Sequence, residues 1–141
     1  MAVSATILLV EDNPDDAALT ELALRRGTPA HLEIAHSGQE AVDFLFDQSN
    51  EVPRLVLLDL RLPDTDGLEV LRRIRGNPRT SLIPVVILTS SMAPDDVATG
   101  YREGANSYVR KPVEFERFAD VVRQVGSYWL AVNEPLSTDR Q

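Results

Sequence analysis

Five short runs rich in β-branched residues and leucine, at residues 6–10, 31–35, 55–59, 85–89 and 107–109, punctuate the chain. They recur about every 25 residues, the length of one βα unit, with helical spacing in between. Apart from polar residues at their ends, the first, third and fourth runs are apolar instead of alternating, as required when helices cover both faces of a parallel sheet. Joined right-handedly, five such units predict an α/β fold: a doubly wound (βα)5 parallel sheet in strand order 2-1-3-4-5.

The helix starts carry their own signals. Asn13-Pro14 reads as N-cap and first helical residue, with Asp15 and Asp16 complementing the helix dipole. Ser37 with Glu40, and Asp66 with Glu69, read as capping boxes. A fourth helix over residues 94–103 is weak, because Gly100 is a poor helix former and only Val97 and Tyr101 are expected to point inward. Gly104 is its expected stop. Residues 133–141 read as a frayed tail, leaving one domain over residues 5–132.

Charge and residue usage narrow the functions available. Fourteen Lys+Arg against 22 Asp+Glu give a net charge of −8 over 141 residues, which argues against a broad nucleic-acid-binding surface. No apolar run approaches the ~18 residues of a membrane span, and no basic leader precedes the first strand. A cytoplasmic location is the expectation. The absence of cysteine excludes disulfides, thiolate metal sites and thiol catalysis together.

In a doubly wound sheet, ligands bind beyond the carboxyl ends of the strands, where the strand order reverses. Here the first strand ends in Glu11-Asp12, the third in Asp59 and the fourth in Thr89, while the fifth leads into Lys111. Singly, most of these have plain explanations. Residues 11–16 read as a solvated acidic helix start, Thr89 as a cap or strand-end residue, and Lys111 as a surface lysine. Asp59 directly follows Leu55-Val56-Leu57-Leu58, so its carboxylate must leave the core, pair, or bind a cation.

Jointly, these residues predict a pocket where Glu11, Asp12 and Asp59 converge, with Thr89 and Lys111 along its rim. Three carboxylates repel one another unless something positive is present, and an all-oxygen set favours Mg²⁺ or Mn²⁺. A carboxylate can itself accept a phosphoryl group. Phosphoryl transfer to Asp59 is the chemistry these residues support, with Lys111 neutralising phosphate charge and Thr89 donating a hydrogen bond to it.

Five motifs occur in order at βα spacing: Ile7-Leu8-Leu9-Val10-Glu11-Asp12-Asn13, Asp59-Leu60-Arg61-Leu62-Pro63-Asp64-Thr65-Asp66-Gly67, Val86-Ile87-Leu88-Thr89-Ser90-Ser91, Gly104-Ala105-Asn106 and Lys111-Pro112. Through them the chain resembles the receiver domains of bacterial two-component response regulators over roughly residues 5–130. The resemblance implies the flavodoxin-like receiver fold, with Asp59 as phosphoacceptor and Mg²⁺ (or Mn²⁺) as cofactor. It implies Asp12 as a direct metal ligand, Glu11 acting through water, and the backbone carbonyl of Arg61 as a further ligand. Thr89 and Tyr108 would be the switch pair, Lys111 the phosphate-binding lysine, and the Lys111–Pro112 bond cis. On spacing alone, Tyr108 passes for a half-buried strand residue. Glu11 replaces the commoner Asp, and the variable Arg61 and Ser91 leave the lifetime of the phosphate open.

A closer likeness lies in residues 106–113 and in Ser127-Tyr128-Trp129-Leu130. It is to single-domain regulators served by bacterial and cyanobacterial phytochrome kinases. This implies a stand-alone response regulator, without a fused output domain, that takes its phosphoryl group from a phytochrome-type sensor histidine kinase. A role as phosphorelay intermediate or phosphate sink stays open. Such a protein catalyses only its own phosphorylation and dephosphorylation.

Phe115, Phe118, Val122, Val125, Trp129 and Val132 recur at 3-4-3-4-3 spacing, widened by Val121 and Tyr128. The stripe is about 26 Å long as a helix, against about 17 Å for a five-residue strand. Phe118, Val122, Val125, Trp129 and Val132 are therefore expected to form an isologous homodimer face. The competing expectation is that Trp129 and Val132 fold back over the domain edge. Arg72, Arg73, Arg75 and Arg79 are expected to complement the third helix's dipole, and His31 and His36 to sit on the surface.

Rival functions make other demands. A flavin-binding electron carrier needs a hydroxyl- and glycine-rich phosphate loop after the first strand, where this chain is acidic. An aspartyl-nucleophile phosphohydrolase needs a second Asp two positions after the nucleophile, the place held by Arg61. A scaffolding pseudo-receiver would lack part of the phosphorylation set, and every member is present.

Overall fold

Neighbouring strand residues point to opposite sides of a sheet, and this sorts the apolar runs into two cores. In the computed structural model, which describes residues 5–27 and 29–136, five parallel strands form one sheet in the order β2-β1-β3-β4-β5. They are β1 (Thr6–Val10), β2 (His31–Ala35), β3 (Leu55–Leu58), β4 (Val85–Thr89) and β5 (Ser107–Arg110). Leu8, Val10, Val56, Leu58, Val85 and Ile87 pack with Ala41 and Leu45 of α2 (Gly38–Phe46) and Leu71 and Ile74 of α3 (Gly67–Arg75). Ile7, Leu9, Leu55, Leu57, Val86 and Leu88 pack with Ala23 and Leu24 of α1 (Pro14–Gly27) and Phe118 and Val122 of α5 (Phe115–Ser127). Each such Val, Leu or Ile contributes about 1.5–3 kcal/mol on leaving water, which is why both faces of β1, β3 and β4 are apolar. The predicted strand order holds. Among the described residues no helix is long and apolar enough to cross a membrane.

The helix starts close as the sequence suggests, with two changes. Asn13 Oδ1 accepts the Asp15 and Asp16 N–H groups at 2.9 and 3.1 Å. Ser37 Oγ accepts the Glu40 N–H at 3.1 Å, but Glu40 reaches back to the His36 N–H at 2.9 Å, one residue beyond the cap a box would close. Asp66 Oδ1 caps Leu68 N–H at 3.0 Å, while Glu69 turns forward to Arg72, where an opposite charge waits one turn on.

α4 (Pro94–Arg102) is seated differently from expectation. Tyr101 is 51% exposed, and the buried residue is Gly100. A Cβ on Gly100 would stand 3.0 Å from Ile87 Cδ1 and 3.2 Å from Tyr108 Cδ2, so the glycine is there for close approach to β4 and β5. Gly104 ends the segment at φ +107°, a left-handed conformation that suits glycine.

Arg75 is a structural tie, not a dipole partner. Its Nε donates to Gly104 O (2.9 Å), its Nη1 to Ser81 O and Ile83 O (3.1 and 2.7 Å), and its Nη2 to Asn106 Oδ1 (2.9 Å). Arg79 similarly donates to Leu45 O at 3.1 Å and Asn50 O at 2.7 Å. In both cases unpaired carbonyls at element ends capture a planar, five-donor side chain. Arg72 pairs with Glu69 and Glu103, and Arg73 lies over the Phe46 ring. His31 and His36 are exposed, as expected.

The expected dimer stripe is divided. α5 passes at Tyr128 into a π-helical turn, Tyr128–Val132, so the regular spacing on which the stripe rests stops there. Phe118 and Val122, 3% and 0% exposed, are spent in the chain's own core and present nothing to a partner. Val125, Trp129 and Leu130 pack against the margin of that core. Trp129 thus folds back, as the competing expectation had it, while Val132 stays 67% exposed. Of the expected tail, residues 133–136 form no helix or strand, and residues 137–141 lie outside the described residues.

Candidate functional site: three carboxylates and a lysine at the strand ends

Sheet register builds the site. Val10 of β1 pairs with Leu58 of β3, and the ladder runs one step further, with Asp59 N–H donating to Val10 O at 3.0 Å and Glu11 N–H to Ala35 O at 2.9 Å. Glu11 and Asp59 therefore leave neighbouring strands at the same level. Together with Asp12 they bring carboxylate oxygens within 4.8 Å of one another, Glu11 and Asp59 buried and Asp12 exposed. The predicted convergence of these three is what the structure shows.

Lys111 arrives from farther away. β5 is separated from β3 by β4, so the lysine must cross about 10 Å of sheet, a distance its long stem can span. Its N–H donates to Thr89 O at 2.8 Å, continuing the β4–β5 pairing past Arg110. Its Nζ then lies 2.6 Å from Glu11 Oε1, 2.7 Å from Asp59 Oδ2 and 2.9 Å from Asp16 Oδ2. The Lys111–Pro112 bond is trans, since the described residues contain no cis peptide bond, where the resemblance implied cis. Trans is the lower-energy isomer by about 0.5–1 kcal/mol, and the ammonium contacts form with it in place.

Asp16 is the member that sequence reasoning missed, reading it as a dipole partner at the start of α1. Helical Cβ atoms tilt toward the helix N-terminus. An acid in the first turn after a strand end therefore leans back over that end, and this was the available signal.

Burial pushes the Glu11 carboxyl from 4.5 up to about 7, against the pull of the Lys111 hydrogen bond and charge. Burial alone would lower the Lys111 pKa, but its hydrogen bonds to Asp59, Glu11 and Asp16 more than offset that and raise it above 10.5. The sign for stability follows from linkage. The Glu11 contribution is fully present below pH 4.5 and is lost as pH rises through about 7.

The loop after β3 holds Asp59 from the other side. Arg61 N–H donates to Asp59 Oδ1 at 3.1 Å, and Arg61 bridges back to Asp66. Gly67 N–H donates to Leu60 O at 2.8 Å. A Cβ on Gly67 would stand 2.4 Å from Asp59 O and 2.7 Å from Leu60 Cα, so only glycine lets α3 begin against the backbone of the acidic residue. The Arg61 side chain itself is exposed.

Thr89 is fully buried. Its Oγ1 accepts the Ser91 N–H at 3.4 Å, and the Tyr108 hydroxyl donates to Ser91 O at 2.8 Å. The two residues expected to act as a pair thus meet through Ser91. The Tyr108 ring is half-buried, packed against Tyr101 at 6.5 Å between centroids, and burial raises its pKa.

The donor set is hard oxygen throughout, with the acidic groups clustered and partly open to water through Asp12. Such a set fits a small divalent cation that keeps several waters, Mg²⁺ or Mn²⁺, far better than a thiophilic metal.

Comparison with known proteins agrees with this geometry. Residues 7–123 match the family described as the response regulator receiver domain. FilR2 of Methanothrix harundinacea, described as a probable methanogenesis regulatory protein, is 43% identical over 131 residues, covering 90% of this chain and 84% of that protein. Response regulator Rcp1 of Synechocystis is 40% identical over 129 residues, covering 88% of each. The crystal structure of an Mn²⁺-bound response regulator Rcp1 superposes with a TM-score of 0.90 at 36% identity, covering 94% of this chain and 99% of that one. The phosphorylated cyanobacterial phytochrome response regulator RcpA superposes with a TM-score of 0.91 at 34% identity, covering 96% of this chain and all of that one. Sheet order, acidic cluster and sequence likeness lead to one assignment: this chain belongs to the response regulator receiver domain family.

Proposed function

We propose that the chain is a cytoplasmic two-component response regulator, with its receiver domain over residues 5–132, that accepts a phosphoryl group on Asp59. The observation that carries this reading is the position of Asp59, with Lys111 Nζ 2.7 Å from Oδ2 and the oxygens of Glu11 and Asp12 beside it. In the transfer step, an Asp59 carboxylate oxygen attacks phosphorus of a kinase phosphohistidine. The P–O bond forms as the P–N bond breaks, and the imidazole leaves with the bonding pair, neutral when its other nitrogen carries a proton. Asp12, Asp59, Glu11 through water and the Arg61 carbonyl would hold Mg²⁺ or Mn²⁺, which when bound neutralises charge between carboxylates and phosphoryl oxygens. Lys111 is already at the acceptor and needs only to trade carboxylate contacts for phosphoryl oxygens. Thr89 donates to the new dianion, and Tyr108 follows it through Ser91. The chain's own chemistry is limited to gaining and losing this group.

The likeness to Rcp1 and to RcpA supports a phytochrome-type sensor histidine kinase as donor. A panel of autophosphorylated histidine kinases, radiolabelled and mixed briefly with the chain and Mg²⁺, should transfer label fastest from a phytochrome-type member. Fast transfer from other kinases alone would reject that pairing, and transfer from none would reject the acceptor reading.

Self-association through the end of the last helix now rests on Tyr128 and Val132, which stay exposed. Light scattering at tens of micromolar should find a dimer that Val132→Glu returns to a monomer. A monomeric wild type removes this part of the reading.

A further inference from the structure

We infer that Asp64 is a positioning residue for the Asp59 site: its carboxylate straps the loop of residues 59–66 to the start of α2. In doing so it fixes the segment whose Arg61 N–H holds Asp59. The inference deepens the phosphoacceptor reading and rests on it.

Asp64 lies on the loop's outer bend, and both its oxygens are engaged. Oδ1 accepts the Gly38 N–H at 2.9 Å and Oδ2 accepts the Gln39 N–H at 2.9 Å. These are first-turn donors that α2 cannot satisfy internally. The local cap, Ser37 Oγ, takes the Glu40 N–H instead. A carboxylate is the fitting acceptor there, because the helix start is the positive end of its dipole, and the two N–H groups hold the Asp64 carboxyl below its usual range.

The loop seats so closely that a Cβ on Gly38 would stand 2.3 Å from Thr65 Cγ2 and 3.3 Å from Val70 Cγ2. Gly38 thus makes room for the strap that Asp64 fastens.

The remaining hydrogen bonds of this loop stay within its own stretch of chain: Arg61 N–H to Asp59 Oδ1, the Arg61–Asp66 bridge, Asp66 to Leu68 N–H, and Gly67 N–H to Leu60 O. Asp64 joins that stretch to another helix, 25 and 26 residues back in sequence. Without it, Leu62 still packs against the core, but residues 61–65 lose their hydrogen bonds to another helix and can shift while β3 and α3 stay packed. The Arg61 N–H, and with it the carbonyl expected to face the metal, then loses its fixed place beside Asp59. The cost falls on the site more than on the fold, because Asp64 itself is exposed and buries nothing.

The experiment uses the full chain and three variants, Asp64→Ala, Asp64→Asn and Asp47→Ala. Asp47 is a matched control, an exposed acid that accepts the Ser49 N–H and hydroxyl in a turn remote from the loop. Mn²⁺ affinity is read from the electron paramagnetic resonance signal of the free ion, and labelling rate from acetyl phosphate at saturating Mn²⁺. Asp64→Ala should weaken Mn²⁺ binding and slow labelling by about tenfold each, the scale of an outer-sphere orienting group. Asp64→Asn, which keeps one carbonyl acceptor, should recover part of both, and Asp47→Ala should change neither. Wild-type affinity and rate in Asp64→Ala would overturn the inference. So would equal losses in Asp47→Ala, which would mark a general stability effect. Should Asp64→Ala fail to fold, Asp64→Asn carries the comparison. If the wild type itself takes no label, the acceptor reading falls, and the Mn²⁺ affinities alone still decide the strap.

Discussion

Given acetyl phosphate and Mg²⁺, the wild-type chain should gain the mass of one phosphoryl group, and Asp59→Asn should gain none. The substitution is nearly isosteric, and a carboxamide lacks the anionic oxygen that attacks phosphorus. Its carbonyl can still accept the Arg61 N–H that Asp59 Oδ1 now takes at 3.1 Å, while its amide nitrogen, a donor, gives up the Lys111 contact that Oδ2 now makes at 2.7 Å. Lys111 keeps Glu11 and Asp16 as partners at 2.6 and 2.9 Å. Removing one negative charge from a crowded acidic cluster also relieves repulsion, so the metal-free variant should unfold no more easily than wild type. An unchanged urea midpoint for the metal-free variant then separates lost labelling from lost structure. Intact-protein mass spectrometry reads the result, and an equal gain in both proteins would remove Asp59 as the acceptor.

Lys111→Met should be the most destabilising change at the site, and its cost should depend on pH. Methionine fills much of the same stem volume but takes away the cation that Glu11, Asp16 and Asp59 share, at a position where the lysine side chain is 10% exposed. Removing one partner from a buried charge cluster costs about 3 kcal/mol or more. Part of that is recoverable, because the Glu11 carboxyl, already raised to about 7, rises further once the lysine no longer pulls it down. The folded variant then binds more protons than its unfolded chain across the neutral range, and its stability falls as pH rises. Urea unfolding of the metal-free proteins should show a wider gap between wild type and Lys111→Met at pH 8 than at pH 6. A gap that is constant, or that narrows as pH rises, would contradict the electrostatic account.

The parts of this fold that the sequence displays openly are those set by local pattern. The fully buried β1, β3 and β4, apolar except for Thr6 and Thr89, announce a sheet covered on both faces, and the polar residues at their carboxyl ends announce where the open edge lies. What stays hidden depends on partners distant in sequence or on packing detail. Asp16 sits in an acidic run where nothing marks it apart from Asp15, yet it alone of the two reaches Lys111, 95 residues away. Arg75 looks like any basic residue at a helix end until the carbonyls of Ser81, Ile83 and Gly104 surround it. Gly100 reads as a weak point of α4 because propensity counts the missing side chain as a loss, whereas Tyr108 and Ile87 occupy that space. The last helix misleads for a related reason: helical periodicity assumes a constant turn, and the π turn after Ser127 breaks it before Trp129.

Glu11, Asp59 and Lys111 stand on three separate strand ends, and the lysine meets the second of these acids across 52 residues of chain. No contiguous fragment that omits β1 or β5 can own this charge cluster. A one-residue slip of β3 against β1 would turn every side chain of that strand to its opposite face and carry the acid away from its neighbours. Cation affinity is thereby a sensor of finished architecture: a chain that grips the ion has, by that fact, paired β1 with β3 in register.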